Sequence, residues 1–585
     1  MIETEIKIVN TDIFKLPIFY NEEKVQLNEN IIEDLELHDT IDVSGTPIYN
    51  YAFNPSSSFS QIMIPYLTKY YTTDTIYLKE TQELLKTYEN LDCENAVENY
   101  LPENDKPSYD NFLEMWKEIK LDTGFKEKYN YIDWPSFEYL NNSDIFLQFM
   151  SMYNMSSPII SLVVPIFILI IPFFIIKMKG LDITMNEYIE VLKVLAANHA
   201  IGRIFTHFNS VSNEQKIYLV ISACFYIFSI YQNVMSCLRF HENMKKIHDY
   251  LSKVKRYIDY SLLNMNNLLK FTKNMTKYQL FNSEVERNIK ILKDFRKTFC
   301  FCETYNINMN MVIEIGKVLK CFYQLYDNEE YNKAFEYSFG FNGYIEVIEE
   351  LIKNINQQHM NMATFISKNN KNKFEKGYYA VLKGEKHVKN NISFEKNIII
   401  TGPNASGKTT ILKTSLINII LSQQFGCGFY KSCYLKPYKY IHCYLNIPDT
   451  SGRDSLFQAE ARRCKDILDI IKSSNPDDTH FCVFDELYSG TNPDEAVTSA
   501  TAFMKYLAKY KNVNSILTTH FLKVCKKLDK NKRFENFHME TIVEKDTKNL
   551  KYTYTLEKGI SEVKGGINVL REMNYPNELL DTIKK

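Results

Sequence analysis

The segment Thr401–Thr410 reads TGPNASGKTT, which sets two glycines and a lysine at the spacing GxxxxGKT. A loop of this kind turns successive backbone N–H groups toward one point, which is how a polyphosphate is held. Lys408 adds a positive charge beside the outer phosphates, and Thr409 a hydroxyl for Mg²⁺. Gly402, Pro403, Asn404, Gly407, Lys408, Thr409 and Thr410 are therefore the candidate nucleotide-binding residues. Further along, Asp485 and Glu486 are adjacent; the first can complete the Mg²⁺ shell and the second can orient an attacking water. His520 follows as a group able to touch a γ-phosphate from the edge of the site. Ser455, before an apolar-periodic run, offers a hydroxyl and neighbouring N–H groups to a phosphate, or else serves as a plain helix cap. The chemistry expected is hydrolysis of ATP with Mg²⁺, with Lys408, Glu486 and His520 catalytic and Thr409 and Asp485 as metal ligands.

Such groups work only if regular elements bring them together. Ile398, Ile399 and Ile400 signal a buried strand before the loop, and Ile411–Leu421 an apolar helix after it, the context a phosphate loop requires. A second strand, Phe481–Phe484, ends at the Asp-Glu pair, and a third, Ser515–Thr518, leads to His520. Cys464, Ile467, Leu468 and Ile471 mark a helix after Ser455. An α/β domain is expected over 371–570.

The order of phosphate loop, helix-start serine, Asp-Glu pair and histidine resembles that of ABC-type P-loop ATPases, in which the serine completes the site of a partner subunit; this implies a homodimer or a related heterodimer. More narrowly, TGPNASGKTT, DELYSGTNPDEA (485–496), TTHF (518–521) and the Ser455, Phe457, Glu460 pattern resemble the ATPase of the DNA mismatch repair MutS family. The Asp-Glu segment, with Glu495 at the downstream acid position, is most similar to the branch that lacks a mismatch-reading domain. YTLEKGISEVKGGINV (554–569) resembles that family's closing segment. His387 falls where the family sets a ring against adenine, an exposed surface histidine being the alternative. The resemblance implies binding to double-stranded, branched or mismatched DNA. It departs from mismatch-reading members in having no N-terminal Phe-x-Glu; Phe137 and Glu138 are adjacent, in unrelated surroundings.

Ahead of this domain the sequence is less specific. Residues 1–150 read as mixed and mainly helical, with Ile76, Leu84, Leu85 and Tyr88 on an approximate helical face. Over 243–370, Ile247, Tyr250, Leu251, Val254 and Ile258 recur every three or four positions, so long lever-like helices are expected, returning toward the ATPase at 339–349. Residues 571–585 form a tail. The 69 Lys and Arg against 71 Asp and Glu leave net charge silent about nucleic acid. Lys245, Lys246, Lys253, Lys255 and Arg256 could touch phosphates from a helix or be a solvated face. The 12 cysteines lack paired metal-ligand spacing, and no apolar leader opens the chain, so an intracellular protein with reduced thiols is expected.

Within 151–242 lie two uncharged apolar stretches, 159–176 and 217–238, each long enough to enter a bilayer. They suggest a transmembrane hairpin, restrained by Pro165 and Pro172 and by the polar residues of the second stretch; buried helices of a soluble core are the alternative. The leading expectation is a MutS-like ATPase coupled to distorted DNA. The other is a membrane-associated ABC-type ATPase outside mismatch repair.

Overall fold

The computed structural model describes residues 13–42, 44–89, 109–180, 184–198, 212–299, 309–366, 371–445, 455–543 and 550–561, with 563, 570, 573, 575 and 576. The chain divides into two compact units, one of Met1–Asn104, Leu263–Ile289 and Glu336–Lys585, the other of Asp105–Leu262 and Lys290–Phe335. The principal helices are α1 (Thr75–Thr87), α2 (Tyr109–Leu121), α3 (Asp144–Met178), α4 (Met185–Asn198), α5 (Asn213–Thr272), α6 (Gln279–Lys297), α7 (Met309–Asp327), α8 (Glu329–Asn356), α9 (Lys408–Phe425), α10 (Leu456–Ser473), α11 (Pro493–Leu507) and α12 (Leu522–Asp529). The strands are β1 (Lys24–Gln26), β2 (Tyr70–Thr72), β3 (Asn361–Phe365), β4 (Lys373–Gly377), β5 (Asn390–Ser393), β6 (Asn397–Thr401), β7 (Cys427–Gly428), β8 (Ser432–Leu435), β9 (Tyr440–Tyr444), β10 (His480–Asp485), β11 (Val513–Thr518), β12 (Phe534–Val543) and β13 (Leu550–Lys558).

In the first unit a six-stranded sheet runs β13-β12-β6-β11-β10-β9. Its pairs are parallel except β12 with β13. Strands covered on both faces must be apolar throughout, which is why β6 and β10 read as unbroken apolar runs. Alternation sends Cys482 and Phe484 into one cluster with Cys464, Ile467 and Ile471 of α10, Phe503 and Met504 of α11, and Val524 and Leu528 of α12. The expected strand, loop and helix elements thus form as read, and a mixed α/β region follows a helical one.

Helix α9 is buried along its length, and every residue from Thr414 to Phe425 is covered. Buried amides must find partners. Gln424 Nε2 donates to the Leu67 carbonyl at 2.7 Å and the Tyr70 carbonyl at 2.9 Å, while its Oε1 accepts from Tyr49. Gln423 Nε2 donates to the Tyr438 carbonyl at 2.9 Å and the Thr72 carbonyl at 3.2 Å, and its Oε1 accepts from the Tyr438 N–H. The helix that begins at the phosphate loop is therefore a core helix, fastened to N-terminal residues by polar contacts.

The second unit is helical. Phe112 of α2 stacks on Tyr257 of α5 with ring centres 4.1 Å apart, and Trp116 packs on Phe335. From Phe240 to Ile258, α5 buries Met244, Ile247, Tyr250, Leu251, Val254 and Ile258, the three-four spacing expected of an amphipathic helix. Of the basic residues in this stretch, Lys246 pairs with Glu118, and Lys253 with Asp249 at 2.8 Å.

Two expectations need correction. Ile76 is exposed, because α1 turns Tyr77, Leu78, Thr81, Leu84 and Leu85 inward instead. Between the two apolar stretches stands helix α4. Among the described residues only α5 is long and apolar enough to cross a membrane, and none of its apolar window is buried, so the independent hairpin reduces to one candidate span. The stretch 159–176 lies inside α3, where Pro165 and Pro172 each remove a backbone donor.

Candidate nucleotide site

Parallel pairing places the ends of β6, β10 and β11 on one edge, since Asp485 is level with Thr518 and Thr518 with Ile400. Ligands of open α/β sheets bind outside such carboxyl ends. The loop after β6 takes a left-handed backbone at Ala405 (φ 61°) and Gly407 (φ 96°), which turns its N–H groups inward. A Cβ on Gly407 would come within 3.3 Å of the Tyr554 ring.

Lys408 opens α9 and is only 6% exposed. Its ammonium donates to the carbonyls of Gly402 and Pro403 at 3.1 and 3.2 Å and lies 4.0 Å from Glu486. Burial pushes this ammonium below its ordinary pKa, against the pull of the Glu486 and Asp485 carboxylates. The Thr409 hydroxyl donates to Asp485 at 2.8 Å, and the Thr518 hydroxyl donates to the other oxygen of the same carboxylate. Asp485 is thus oriented by the first turn of α9 and by the neighbouring strand β11.

Glu486 leaves the strand with φ 49°, a left-handed conformation that costs a non-glycine residue about 1–2 kcal/mol. Its N–H is held by the Thr518 carbonyl at 3.1 Å. His520 Nδ1 lies 3.5 Å from its carboxylate. That histidine contact holds the carboxyl below its usual range, overcoming the opposing effect of burial, with Lys408 helping. The next residues are fixed as well: buried Glu460 accepts from Ser489 Oγ at 3.3 Å and the Gly490 N–H at 3.2 Å, and Tyr488 N–H donates to Tyr444.

These groups surround a cavity of about 590 Å³ lined by Asn404, Gly407, Lys408, Thr409, Thr410, Asp485 and Glu486, with Tyr444, Leu445, Leu456, Glu460, Ser489 and Tyr554. Gly402 and Pro403 take part through the carbonyls that hold Lys408. Ser455 lies outside that lining, at the start of α10. Its hydroxyl accepts from the Gln458 N–H at 3.3 Å, and Gln458 returns the contact to the Ser455 N–H at 2.9 Å, a reciprocal cap. Residues 451–454 before it and most of 562–569 lie outside the described residues. His387 also lies outside the lining and stacks on Tyr378, ring centres 4.2 Å apart.

Sequence reasoning missed Tyr554 and Tyr444. Tyr554 has a left-handed backbone (φ 58°) in β13, and its carbonyl accepts from Asn390 at 3.0 Å, a contact that steadies the strand beside the loop. An aromatic inside a motif-bearing strand was the signal that could have found it. Among the described residues, no cluster of His, Cys, Asp and Glu forms a separate metal site, and no disulfide joins the cysteines.

Residues 398–585 match the family model described as MutS domain V. Over 208 residues the chain is 29% identical to DNA mismatch repair protein MutS of Prochlorococcus marinus (strain AS9601), covering 35% of this chain and 22% of that protein. It is also 29% identical over 202 residues to DNA mismatch repair protein Msh3 of Dictyostelium discoideum, covering 32% and 14%. With Endonuclease MutS2 of Lactococcus lactis subsp. cremoris (strain SK11) it shares 26% over 196 residues, covering 33% and 24%. The match therefore spans between 14% and 24% of these curated relatives' own length. With the site's geometry, it supports a MutS-like ATPase domain in the C-terminal part of the chain.

Proposed function

We propose that this chain hydrolyses ATP and uses the nucleotide cycle to change how its helices grip mismatched, branched or otherwise distorted DNA. The observation that carries the enzymatic part is the gathering of Lys408, Thr409, Asp485 and Glu486 around one cavity at one sheet edge, with His520 outside its lining and 3.5 Å from the Glu486 carboxylate. Lys408 exchanges its two carbonyl acceptors for phosphate oxygens. The hydroxyl of Thr409 and the carboxylate of Asp485, 2.8 Å apart, suit Mg²⁺, which takes a few such oxygens and keeps its waters. Bound there, Mg²⁺ would neutralise charge on the phosphates. Glu486 orients the attacking water, and His520 holds that carboxylate ionised. We assign the ring against the base to Tyr554 in preference to His387, because Tyr554 borders the cavity. Ser455, capping α10 at an exposed helix start, is free to complete a second subunit's site in a dimer. The DNA part rests on the relatives' names and on the likeness of the Asp485–Ala496 segment.

One experiment covers this reading. The purified full chain and its Lys408→Ala and Glu486→Gln variants are assayed for nucleotide binding, hydrolysis, and binding to homoduplex, mismatch and junction DNA with and without ATP. Lys408→Ala is expected to lose nucleotide, and Glu486→Gln to keep it while hydrolysing about 100-fold more slowly. Unchanged turnover in Glu486→Gln would remove its assigned role. Absence of DNA binding in every condition would sink the DNA part.

A second reading has its own observation. The apolar window of α5 is wholly unburied, which favours a membrane-associated ABC-type ATPase outside mismatch repair.

A further inference from the structure

Helix α5 has two lengths of opposite construction. Over 217–238 the positions turned toward α3 include Tyr226, Asn233 and Cys237, all half-buried, while Ile217, Phe225, Ile227, Phe228 and Val234 face outward. Phe225 is 69% exposed and Ile227 64%. Exposed polar residues here are few, Ser229 and Gln232 among them. In α3 the same holds: Ile159, Leu162, Phe167, Ile171 and Phe174 face outward, and Ser161 faces the seam. A helical pair built for water buries its apolar side chains and exposes its polar ones. This pair does the reverse.

The seam also repairs α3. Proline has no N–H, so Pro158 and Pro165 free the carbonyls four residues earlier, those of Asn154 and Ser161. The Tyr226 hydroxyl of α5 donates to the Ser161 carbonyl at 3.0 Å, and the Ser157 hydroxyl donates to the Asn154 carbonyl at 3.1 Å. Asn233 Nδ2 donates to the Ser161 hydroxyl, and the Cys237 thiol reaches the Met155 carbonyl at 3.6 Å. In water a freed carbonyl needs no such partner, whereas in hydrocarbon it must find one. Lys177 and Lys179 close the stretch in α3, and Lys216 precedes that in α5.

We propose that the apolar length of α5 is embedded in a lipid bilayer and carries the proline-broken end of α3 beside it, with Ser161, Tyr226 and Asn233 as the polar seam between them. This rests on the membrane reading above and adds the identity of the second helix. The occupant of the outer face is lipid, because that face is apolar around both helices and not along a single stripe.

The test uses the full chain with Cys224→Ser as parent, reconstituted in phosphatidylcholine vesicles. Vesicles are first washed in alkaline carbonate. Phe228→Cys, Phe167→Cys and Lys179→Cys are then labelled with a membrane-impermeant maleimide before and after detergent, and the parent's labelling is subtracted. The protein stays with the vesicles, and Phe228→Cys and Phe167→Cys are labelled at least about tenfold less before detergent than after, while Lys179→Cys labels in both. Complete release by carbonate, with the chain then running as a soluble oligomer, overturns the membrane reading and the pair together. Retention with Phe167→Cys labelling like Lys179→Cys overturns the companion helix and leaves α5 as a lone span.

Discussion

The lengths of α5 before and after Arg239 differ in what they hide. After it, Met244, Ile247, Leu251, Val254 and Ile258 turn inward while Glu242, Lys245 and Asp249 lie toward the outer side. Before it, Tyr226 and Asn233 turn inward and Phe225, Phe228 and Val234 outward. One continuous helix therefore serves two solvents, and the change falls within one residue, between exposed Arg239 and buried Phe240. The difference teaches that apolar content alone does not locate a core; the direction of the polar minority does.

The comparison can be broken by truncating one apolar side chain on each side. Leu251 is fully buried, so Leu251→Ala should cost about 2–5 kcal/mol in equilibrium unfolding of the detergent-solubilised chain. Phe228→Ala, at a side chain 55% exposed, should stay within about 0.5 kcal/mol. Equal losses would mean that Phe228 is covered by protein and that the two lengths are alike. A finer distinction comes from the seam. Asn233→Leu leaves the Ser161 hydroxyl without its donor and should lower stability in detergent by about 0.5–2 kcal/mol. A gain would show that the seam behaves as an ordinary apolar interface.

The smallest effect concerns charge on the length after Arg239. Hydrogen bonds from Lys246 and Tyr250 hold the Glu118 carboxyl below its usual 4.5. Its contribution is fully present above that usual value and is lost as pH falls through the depressed one. Because Glu118 is 43% exposed, solvent screening limits the contribution to under about 1 kcal/mol. Thermal unfolding of Glu118→Gln should thus differ from the parent at pH 7 and converge with it once pH has fallen through the depressed pKa of Glu118. A gap that persists into acid would assign the loss to packing.

Much of the candidate nucleotide site was legible in the sequence because its strands are buried on both faces and end on motif residues. Ile398–Ile400, Phe481–Phe484 and Ser515–Thr518 need no partner to be recognised as strands, and the parallel register then brings Lys408, Asp485 and Glu486 together. Tyr554 was not legible, since its approach to Gly407 depends on a left-handed backbone in a strand. Ile76 was misread because the face of α1 is chosen by what packs on it. Pro165 read as a defect in a membrane stretch. A sequence does not show that a tyrosine 61 positions later donates to the carbonyl it frees.

Gln423 and Gln424 give α9 a consequence for how the nucleotide site can be handled at the bench. Their amides spend donors and acceptors on Tyr49, Leu67, Tyr70 and Thr72, residues some 350 positions earlier in the chain. A fragment beginning at the phosphate-loop sheet would expose these amides within an apolar groove, and each buried group left unmatched costs about 1–3 kcal/mol. The nucleotide module is thus not a detachable cassette: it would have to be transplanted together with the opening stretch of the polypeptide that seals it.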